Sequence, residues 1–210
     1  MKSEVWIERL TVENLGPFVG RRTFNFGTSP EDQLTYISGS SGSGKTYLVN
    51  ALCWMFDLPA PAISRRLTSP VIEYDHHFSV EVDLQVNGVV SSIKRDSLRS
   101  EEFVAPQVSI IHFDDLWVST AFEKVLSRDS GHASGKHLLY SLTKFLDNLK
   151  NRGDFRPIVF DAPFGYLDMR SLSEAFDALI SHSAQIIFCG NTHDCRDLIN
   201  RGCSMRVLEI

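Results

Sequence analysis

The segment "YISGSSGSGKTYLVNALCWMF" (Tyr36–Phe56) joins a short apolar run, a cluster of Gly and Ser, a Lys-Thr pair and an amphipathic run. The G-x-x-x-x-G-K-[ST] pattern of phosphate-binding loops is matched by Gly39, Gly44, Lys45 and Thr46. The apolar residues 34–38 before the loop predict a buried strand, and residues 47–56 after it predict a helix. Because this is the context that the motif requires, a chance lysine in a Gly/Ser-rich loop is the weaker interpretation.

Each residue type in the loop has a chemical reason. Small residues allow successive backbone N–H groups to surround a phosphate, and the following helix adds the positive end of its dipole. The Lys45 side chain can reach the β- and γ-phosphates of ATP, and the Thr46 hydroxyl can hold Mg²⁺. The predicted nucleotide-binding residues of this segment are Gly39, Ser40, Ser41, Gly42, Ser43, Gly44, Lys45, Thr46 and Tyr47.

Composition limits the class of protein. A chain of 210 residues with 43% hydrophobic residues suits one domain, and we expect residues 1–210 to form it. No apolar run reaches the roughly 18–20 residues of a membrane span, and the charged N-terminus does not resemble a signal peptide. The four cysteines lack C-x-x-C spacing, which favours thiols in a reducing, cytoplasmic setting.

The net charge bears on nucleic-acid binding. With 21 basic and 26 acidic residues the chain has a formal charge of −5. We therefore expect weak DNA contact, through a local basic patch or a partner.

The order of elements predicts an α/β fold that begins with antiparallel hairpins. Residues 4–14 and 21–26 alternate as paired strands, and residues 78–96 form two strands joined by Asn87-Gly88. Further strands are predicted within residues 107–117, 156–161, 185–190 and 204–210, and helices within 134–150 and 171–182. The later strands alternate with helices, which predicts a mostly parallel sheet flanked by helices.

Two strand ends carry candidate catalytic residues. Asp161 follows three apolar residues, as expected for a carboxylate that contacts Mg²⁺, and His193 follows the next buried strand. Parallel strands would bring both to the sheet edge that carries the phosphate loop. Two structural alternatives remain open, a turn-forming acid for Asp161 and a surface histidine for His193.

Taken together, these motifs resemble the ABC-type ATPase heads of the SMC and RecF/RecN class, a P-loop NTPase fold. The stretch "IERLTVENLGPFVGRRTFNF" resembles the front end of that class, Asp161 its Walker B position, "GYLD" its D-loop and "NTHD" its switch-histidine position. Within that class, the sequence most resembles the DndD-like ATPases of DNA phosphorothioation systems. The resemblance implies a catalytic role for Asp168, a metal role for Asp114 at the Q-loop position, and nucleotide contacts by Ser134 and Gly135.

Several positions depart from the family pattern. The expected Leu-Ser-Gly-Gly-Gln signature is "HASGKH" at residues 132–137, and Ala162 replaces the acid that would polarise water. No segment is long enough for coiled-coil arms. Asp114 and Asp115 are equally well interpreted as a helix N-cap. For Arg21 and Arg22, solvated edge-strand charges are the favoured interpretation, and a position near the nucleotide base, which the resemblance implies, is the alternative.

The resemblance implies a function. The chain is expected to bind ATP and Mg²⁺, to hydrolyse slowly, and to form at most a weak ATP-dependent homodimer that controls a protein partner in a DNA-related complex. A second hypothesis is a nucleotide-gated interaction module that barely hydrolyses ATP. A small-molecule kinase is a third, less favoured hypothesis.

Overall fold

The computed structural model describes residues 4–58, 77–99, 103–113, 133–161, 169–181 and 184–210. Strands and helices are numbered in chain order. The strands are β1 (Val5–Leu15), β2 (Phe18–Asn25), β3 (Leu34–Ser38), β4 (Ser79–Val86), β5 (Val89–Asp96), β6 (Ile111–Phe113), β7 (Ile158–Asp161), β8 (Ile186–Gly190) and β9 (Arg206–Glu209). The α-helices are α1 (Lys45–Met55), α2 (Ala133–Arg152), α3 (Met169–Ile180) and α4 (Thr192–Asn200), and a 3₁₀ turn covers Pro30–Asp32.

Two sheets organise the molecule. The first is antiparallel, with strand order β2-β1-β4-β5, and the second is parallel, with order β6-β7-β8-β3-β9. The hairpin predicted at Asn87-Gly88 is present, with Val86 opposite Val89 and Asn87 at a φ of 50°. The predicted architecture is therefore confirmed, with an antiparallel sheet preceding a parallel sheet flanked by helices.

Burial explains the layering. All five residues of β3 and all five of β8 are buried, as expected for parallel strands covered on both faces. Alternate residues of these strands enter two apolar clusters. One cluster lies between the antiparallel sheet, α1 and one face of the parallel sheet, and the other lies on the opposite face with α2, α3 and α4. Helix α1 is thus enclosed between the two sheets, and the loop that precedes it emerges at one edge.

The side-chain amide of Gln185 connects the two sheets by hydrogen bonds. Gln185 is fully buried; its Oε1 accepts a hydrogen bond from Ile7 N at 2.7 Å, and its Nε2 donates to Ile7 O and Gly27 O, both at 2.7 Å. These bonds give β1 a fixed position against the residue that immediately precedes β8. Because unsatisfied buried polar groups are costly, this contact stabilises one relative placement of the sheets.

The structure corrects the bounds of two predicted strands. β2 begins at Phe18 rather than Arg21, because Gly16 adopts a φ of 55° and lets Leu15 pair directly with Phe18. β6 has three residues in the described part of the chain, because its ladder starts only where Ile158 of β7 lies opposite Ile111. Within that predicted strand, residues 114–117 lie outside the described residues.

Two further findings concern the apolar character of the helices and the state of the cysteines. Among the described helices, none combines the length and the apolar character needed to cross a membrane. All four cysteines are reduced; Cys53, Cys189 and Cys195 are buried and Cys203 is partly buried. Burial raises the pKa of the Cys189, Cys195 and Cys203 thiols.

Candidate functional site

The loop between β3 and α1 has a backbone that only small residues permit. Gly42 and Gly44 have φ values of 82° and 113°, in the region that glycine adopts without strain. A Cβ at Gly44 would lie 2.6 Å from the Phe18 ring and 2.7 Å from Pro17, so the β1–β2 turn closes against the loop at this point. A Cβ at Gly39 would lie 2.4 Å from Ser43 Oγ. The fold of the loop therefore requires glycine at both motif positions, in agreement with the sequence pattern.

The start of α1 carries positive charge that no acid of the helix itself offsets, although Asp161 of β7 approaches it at Thr46. Its N-cap is Gly44, which makes no side-chain capping bond, and the first turn contains no acidic residue. The first N–H groups of a helix have no intrahelical partner, and the dipole places partial positive charge there. These amides are oriented for an anion at the mouth of the loop.

The Lys45 ammonium lies over the same loop. Its Nζ donates hydrogen bonds to Gly39 O and Ser40 O, both at 2.7 Å. Both acceptors are neutral carbonyls, and within the described part of the chain Lys45 forms no ion pair. A phosphate oxygen carries negative charge that these carbonyls lack, so a phosphate competes well for this cation.

Thr46 and Asp161 face each other across the site. Thr46 Oγ1 donates to Asp161 Oδ1 at 3.4 Å, and Asp161 is the last residue of β7, opposite Cys189 of β8. Mg²⁺ at nucleotide sites takes one or two carboxylates together with phosphate oxygens, and this pair supplies oxygen ligands only. The residues therefore fit the predicted magnesium site. Burial first, and then the nearby Asp161 charge, raises the pKa of the Cys189 thiol beneath it.

The ring of Tyr47, the third residue of α1, lies against the β1–β2 turn. A Cβ at Gly16 would lie 2.3 Å from the Tyr47 ring, so this ring packs against the β1–β2 turn. Tyr47 therefore contributes to the loop by packing, because its side chain supports the turn that covers Gly44.

His193 lies in the first turn of α4. Its side chain is 82% exposed, and Nδ1 lies 3.2 Å from Asp197 Oδ2 of the same helix. Asn191 is the N-cap: its Oδ1 accepts from Asp194 N at 2.7 Å and its Nδ2 donates to Asp194 Oδ2 at 2.7 Å. The histidine is thus held at the sheet edge by its backbone, while its ring is free to meet a ligand.

The strand order brings most of the predicted residues to one edge. β8 lies between β7 and β3, so the loop after β3, Asp161 and His193 share the carboxyl edge of the parallel sheet, where ligands bind in such folds. Ser134 and Gly135 lie in the first turn of α2, as backbone positions. Asp114, Ala162 and Asp168 lie outside the described residues.

The sequence analysis did not identify two residues that stabilise this edge of the parallel sheet. Tyr36 contacts the β8–α4 junction from within β3, and Asn191 caps α4. The Asn191-Thr192-His193-Asp194 sequence is typical of an N-cap, because Asn is among the preferred N-cap residues. The Tyr36 contact has no sequence signal, because it joins residues 155 positions apart.

A cavity lies away from this site, beside Arg95. Its volume is about 570 Å³, and it is lined by His77, Lys94, Arg95, Asp96, Leu98, Arg99 and Phe103. The Arg95 guanidinium there donates to Trp54 O, pairs with Asp57 at 2.8 Å, and lies 4.4 Å and 4.5 Å from the Trp54 and Phe103 ring centres. The Arg95 guanidinium is therefore already paired within the fold. Arg21 likewise pairs with Glu81 at 2.8 Å, in agreement with the edge-strand interpretation.

Solved structures with a similar fold are SMC head domains. The SMC head domain from Thermotoga maritima has a TM-score of 0.61 and 14% identity, covering 92% of this chain and 91% of that chain. An SMC head bound to the C-winged helix domain of ScpA has a TM-score of 0.59 and 14% identity, over 93% and 91%. An SMC head from Pyrococcus furiosus has a TM-score of 0.50 and 10% identity, over 93% and 91%.

The sequence comparisons identify the family. No curated protein sequence matches the chain. A family profile described as an AAA domain matches residues 9–137, which is more than half of the chain and includes the whole phosphate loop. Nucleotide binding comes with that family. The chain therefore belongs to the AAA domain family, and it has the P-loop ATPase fold of an SMC head.

Proposed function

We propose that this protein is an SMC-like ATPase head that binds ATP with Mg²⁺ and hydrolyses it slowly. The observation that carries the proposal is the arrangement at one sheet edge: uncapped α1 amides, a Lys45 ammonium bonded only to neutral carbonyls, and Thr46 Oγ1 3.4 Å from Asp161 Oδ1. The phosphate-binding amides, the ammonium and the carboxylate thus lie together in the loop after β3 and at the end of β7.

Each residue has a defined role in this proposal. The loop amides and Lys45 bind the β- and γ-phosphates and offset their charge. Thr46 and Asp161 hold Mg²⁺, which when bound neutralises charge on the phosphate oxygens. In this proposal the exposed His193 imidazole contacts the γ-phosphate and reports its presence. The slow rate follows from Ala162, which offers no carboxylate to orient the attacking water.

The assembly part of the proposal concerns a second head. Ser134, Gly135 and Asp168 would contact the nucleotide held by a partner copy, so ATP would favour a weak homodimer. A solved head of the same fold was determined with the C-winged helix domain of ScpA, which supports a protein partner for this chain also. We propose that such a partner belongs to a DNA-related cytoplasmic complex of the DndD-like kind. DNA binding by this chain alone is weak in this proposal, because its charge is −5.

A nucleotide-gated interaction module is the second candidate. Ala162 favours it, because a head without the water-polarising acid can bind ATP and associate while turning over little. Both candidates predict ATP binding, and they differ in phosphate release. Release within the common range of about 1–10³ per second would contradict the slow-hydrolysis proposal and the module alike.

The decisive experiment is a calorimetric titration of ATP with Mg²⁺ into wild-type protein and Lys45→Ala. Loss of a charge-assisted bond worth about 1.5–3 kcal/mol lowers affinity at least about tenfold. Lys94→Ala is the matched control, because Lys94 is an exposed lysine of β5 and lies outside the loop. Equal affinities for wild type and Lys45→Ala, or an equal loss in both variants, would overturn the proposal.

A further inference from the structure

A buried tyrosine links the phosphate loop to the histidine turn. Tyr36 is fully buried in the middle of β3, and its hydroxyl donates a hydrogen bond to Asn191 O at 3.1 Å. A Cβ at Gly190 would lie 2.0 Å from that hydroxyl, so glycine is required there for the tyrosine to reach Asn191. The side chain therefore passes directly beneath the junction of β8 and α4.

Aromatic packing fixes the tyrosine ring. The Phe176 and Phe188 ring centres lie 6.2 Å and 5.3 Å from that of Tyr36, and Phe160 packs on Phe188 at 5.8 Å. Burial raises the pKa of Tyr36 further above its ordinary value, so the hydroxyl stays protonated and available as a donor. Because the packed ring cannot shift easily, the position of the Tyr36 hydroxyl is set by the position of β3.

A second contact follows the same path. Ser38 Oγ, two residues further along β3, donates to Thr192 Oγ1 at 3.3 Å. Residues 191 and 192 are thus both held by β3, and His193 comes next in the chain. Among the described residues, the polar partner of the His193 ring is Asp197 of its own helix, so the location of the ring depends on the backbone of this turn.

We propose that Tyr36 is a positioning residue for His193, fixing the histidine turn relative to the phosphate loop that β3 also carries. The inference rests on the proposed role of His193 at the γ-phosphate. Without the hydroxyl, Asn191 O keeps its bond from Cys195 N at 3.3 Å, so α4 stays folded while its first turn loosens. In that case β3 no longer sets the distance between the phosphate loop and the His193 imidazole.

The chain offers a matched pair of variants. Tyr36→Phe removes one buried hydroxyl from β3 and leaves the ring in place. Thr35→Val removes a neighbouring buried hydroxyl whose oxygen accepts from Gly27 N at 3.2 Å, on the side facing the antiparallel sheet. Both variants lose one neutral hydrogen bond of the same strand, and only Tyr36→Phe affects the Asn191 turn.

The first measurement is hydrogen exchange of the peptide that covers residues 191–194, without nucleotide. Tyr36→Phe should speed exchange about threefold to tenfold, the range expected for one neutral hydrogen bond. Thr35→Val should leave exchange there unchanged. Equal exchange in wild type and Tyr36→Phe would overturn the inference, whatever the protein does with ATP.

The second measurement is a double-mutant cycle on ATP turnover with His193→Ala. Tyr36→Phe alone should lower kcat about threefold to tenfold with KM and ATP affinity within about twofold. In the His193→Ala background it should have no further effect, because effects that act through one residue are not additive. Additive losses, or no loss with His193→Ala alone, would overturn the inference. Failure of wild-type ATP binding would instead overturn the proposed function, and the exchange result would still decide whether Tyr36 holds the turn.

Discussion

A basic side chain lies at each end of α1, and the two side chains differ in their partners. At the first residue, Lys45 is bonded to two neutral carbonyls beside uncapped amides. At the last turn, Arg95 from β5 donates to Trp54 O, pairs with Asp57 and lies between two aromatic rings. At the first end, Lys45 has no ion-pair partner among the described residues, although the Asp161 carboxylate lies close to Thr46. At the other end, Arg95 is paired with Asp57.

The difference separates binding from stability. Asp57 lies just beyond the C-terminus of α1, where the dipole is already negative, with a φ of 49°. Arg95 offsets both the acid and the last carbonyls, so its removal should weaken the fold. Lys45 bonds only to two loop carbonyls and pairs with no acid among the described residues, so its removal should weaken mainly the bound state. Four predictions test this contrast, from the largest expected effect to the smallest.

Arg95→Ala should lower the free energy of unfolding by about 2–4 kcal/mol, because a charged hydrogen bond and two cation–π contacts are lost at a side chain only 13% exposed. Urea denaturation measures this change. Lys94→Ala, at an exposed neighbouring position, is the control and should change stability by less than about 0.5 kcal/mol. If both variants are equally stable, the C-terminal end of α1 does not depend on Arg95.

Lys45→Ala should leave the unliganded protein as stable as wild type and reduce the stabilisation by ATP. At a ligand concentration 100 times Kd, binding adds about 2.7 kcal/mol, and a tenfold weaker affinity leaves about 1.4 kcal/mol. Thermal unfolding with and without ATP and Mg²⁺ gives both quantities. A large loss without nucleotide would show that Lys45 also has a structural role, and the contrast between the two ends would fail.

Thr46→Val should weaken binding of ATP only when Mg²⁺ is present. The valine keeps the shape of threonine but lacks the hydroxyl that faces Asp161, a loss of about 1 kcal/mol or about fivefold in affinity. Titrations with Mg²⁺ and with a chelator separate the metal contribution from the phosphate contribution. An equal loss under both conditions would assign Thr46 to the phosphates rather than to the metal.

Asp57→Asn should have the smallest effect, a change in unfolding free energy of about 0.5 kcal/mol or less. The carboxylate is 53% exposed, where ion pairs contribute little, and Asn tolerates the left-handed backbone at this position. Chemical denaturation beside Arg95→Ala measures it. A loss as large as that of Arg95→Ala would mean that the ion pair, rather than the Trp54 carbonyl and the rings, holds the guanidinium.

The sequence predicted the parts of this molecule that local patterns determine. The glycines of the loop, the Asn87-Gly88 hairpin and the buried strands around Asp161 follow from backbone geometry and periodicity, and all are present. Arg95 and Gln185 could not be assigned in this way, because their partners Trp54 and Ile7 are distant in the chain. Long-range contacts of single side chains have no period, so they depend on the completed packing.

Because most of the thiols are buried, their rates of alkylation measure local unfolding of the protein. A thiol reacts with an alkylating reagent only as an exposed thiolate, and three of the four cysteines are enclosed. Cys203 should react first, while labelling of Cys53 should follow the opening of the layer between the two sheets. Cys189 lies below Asp161 and the Lys45 loop, so its labelling rate should fall when nucleotide closes that edge. Mass spectrometry of the alkylated chain therefore follows ligand binding and local unfolding together, with no probe added to the sequence.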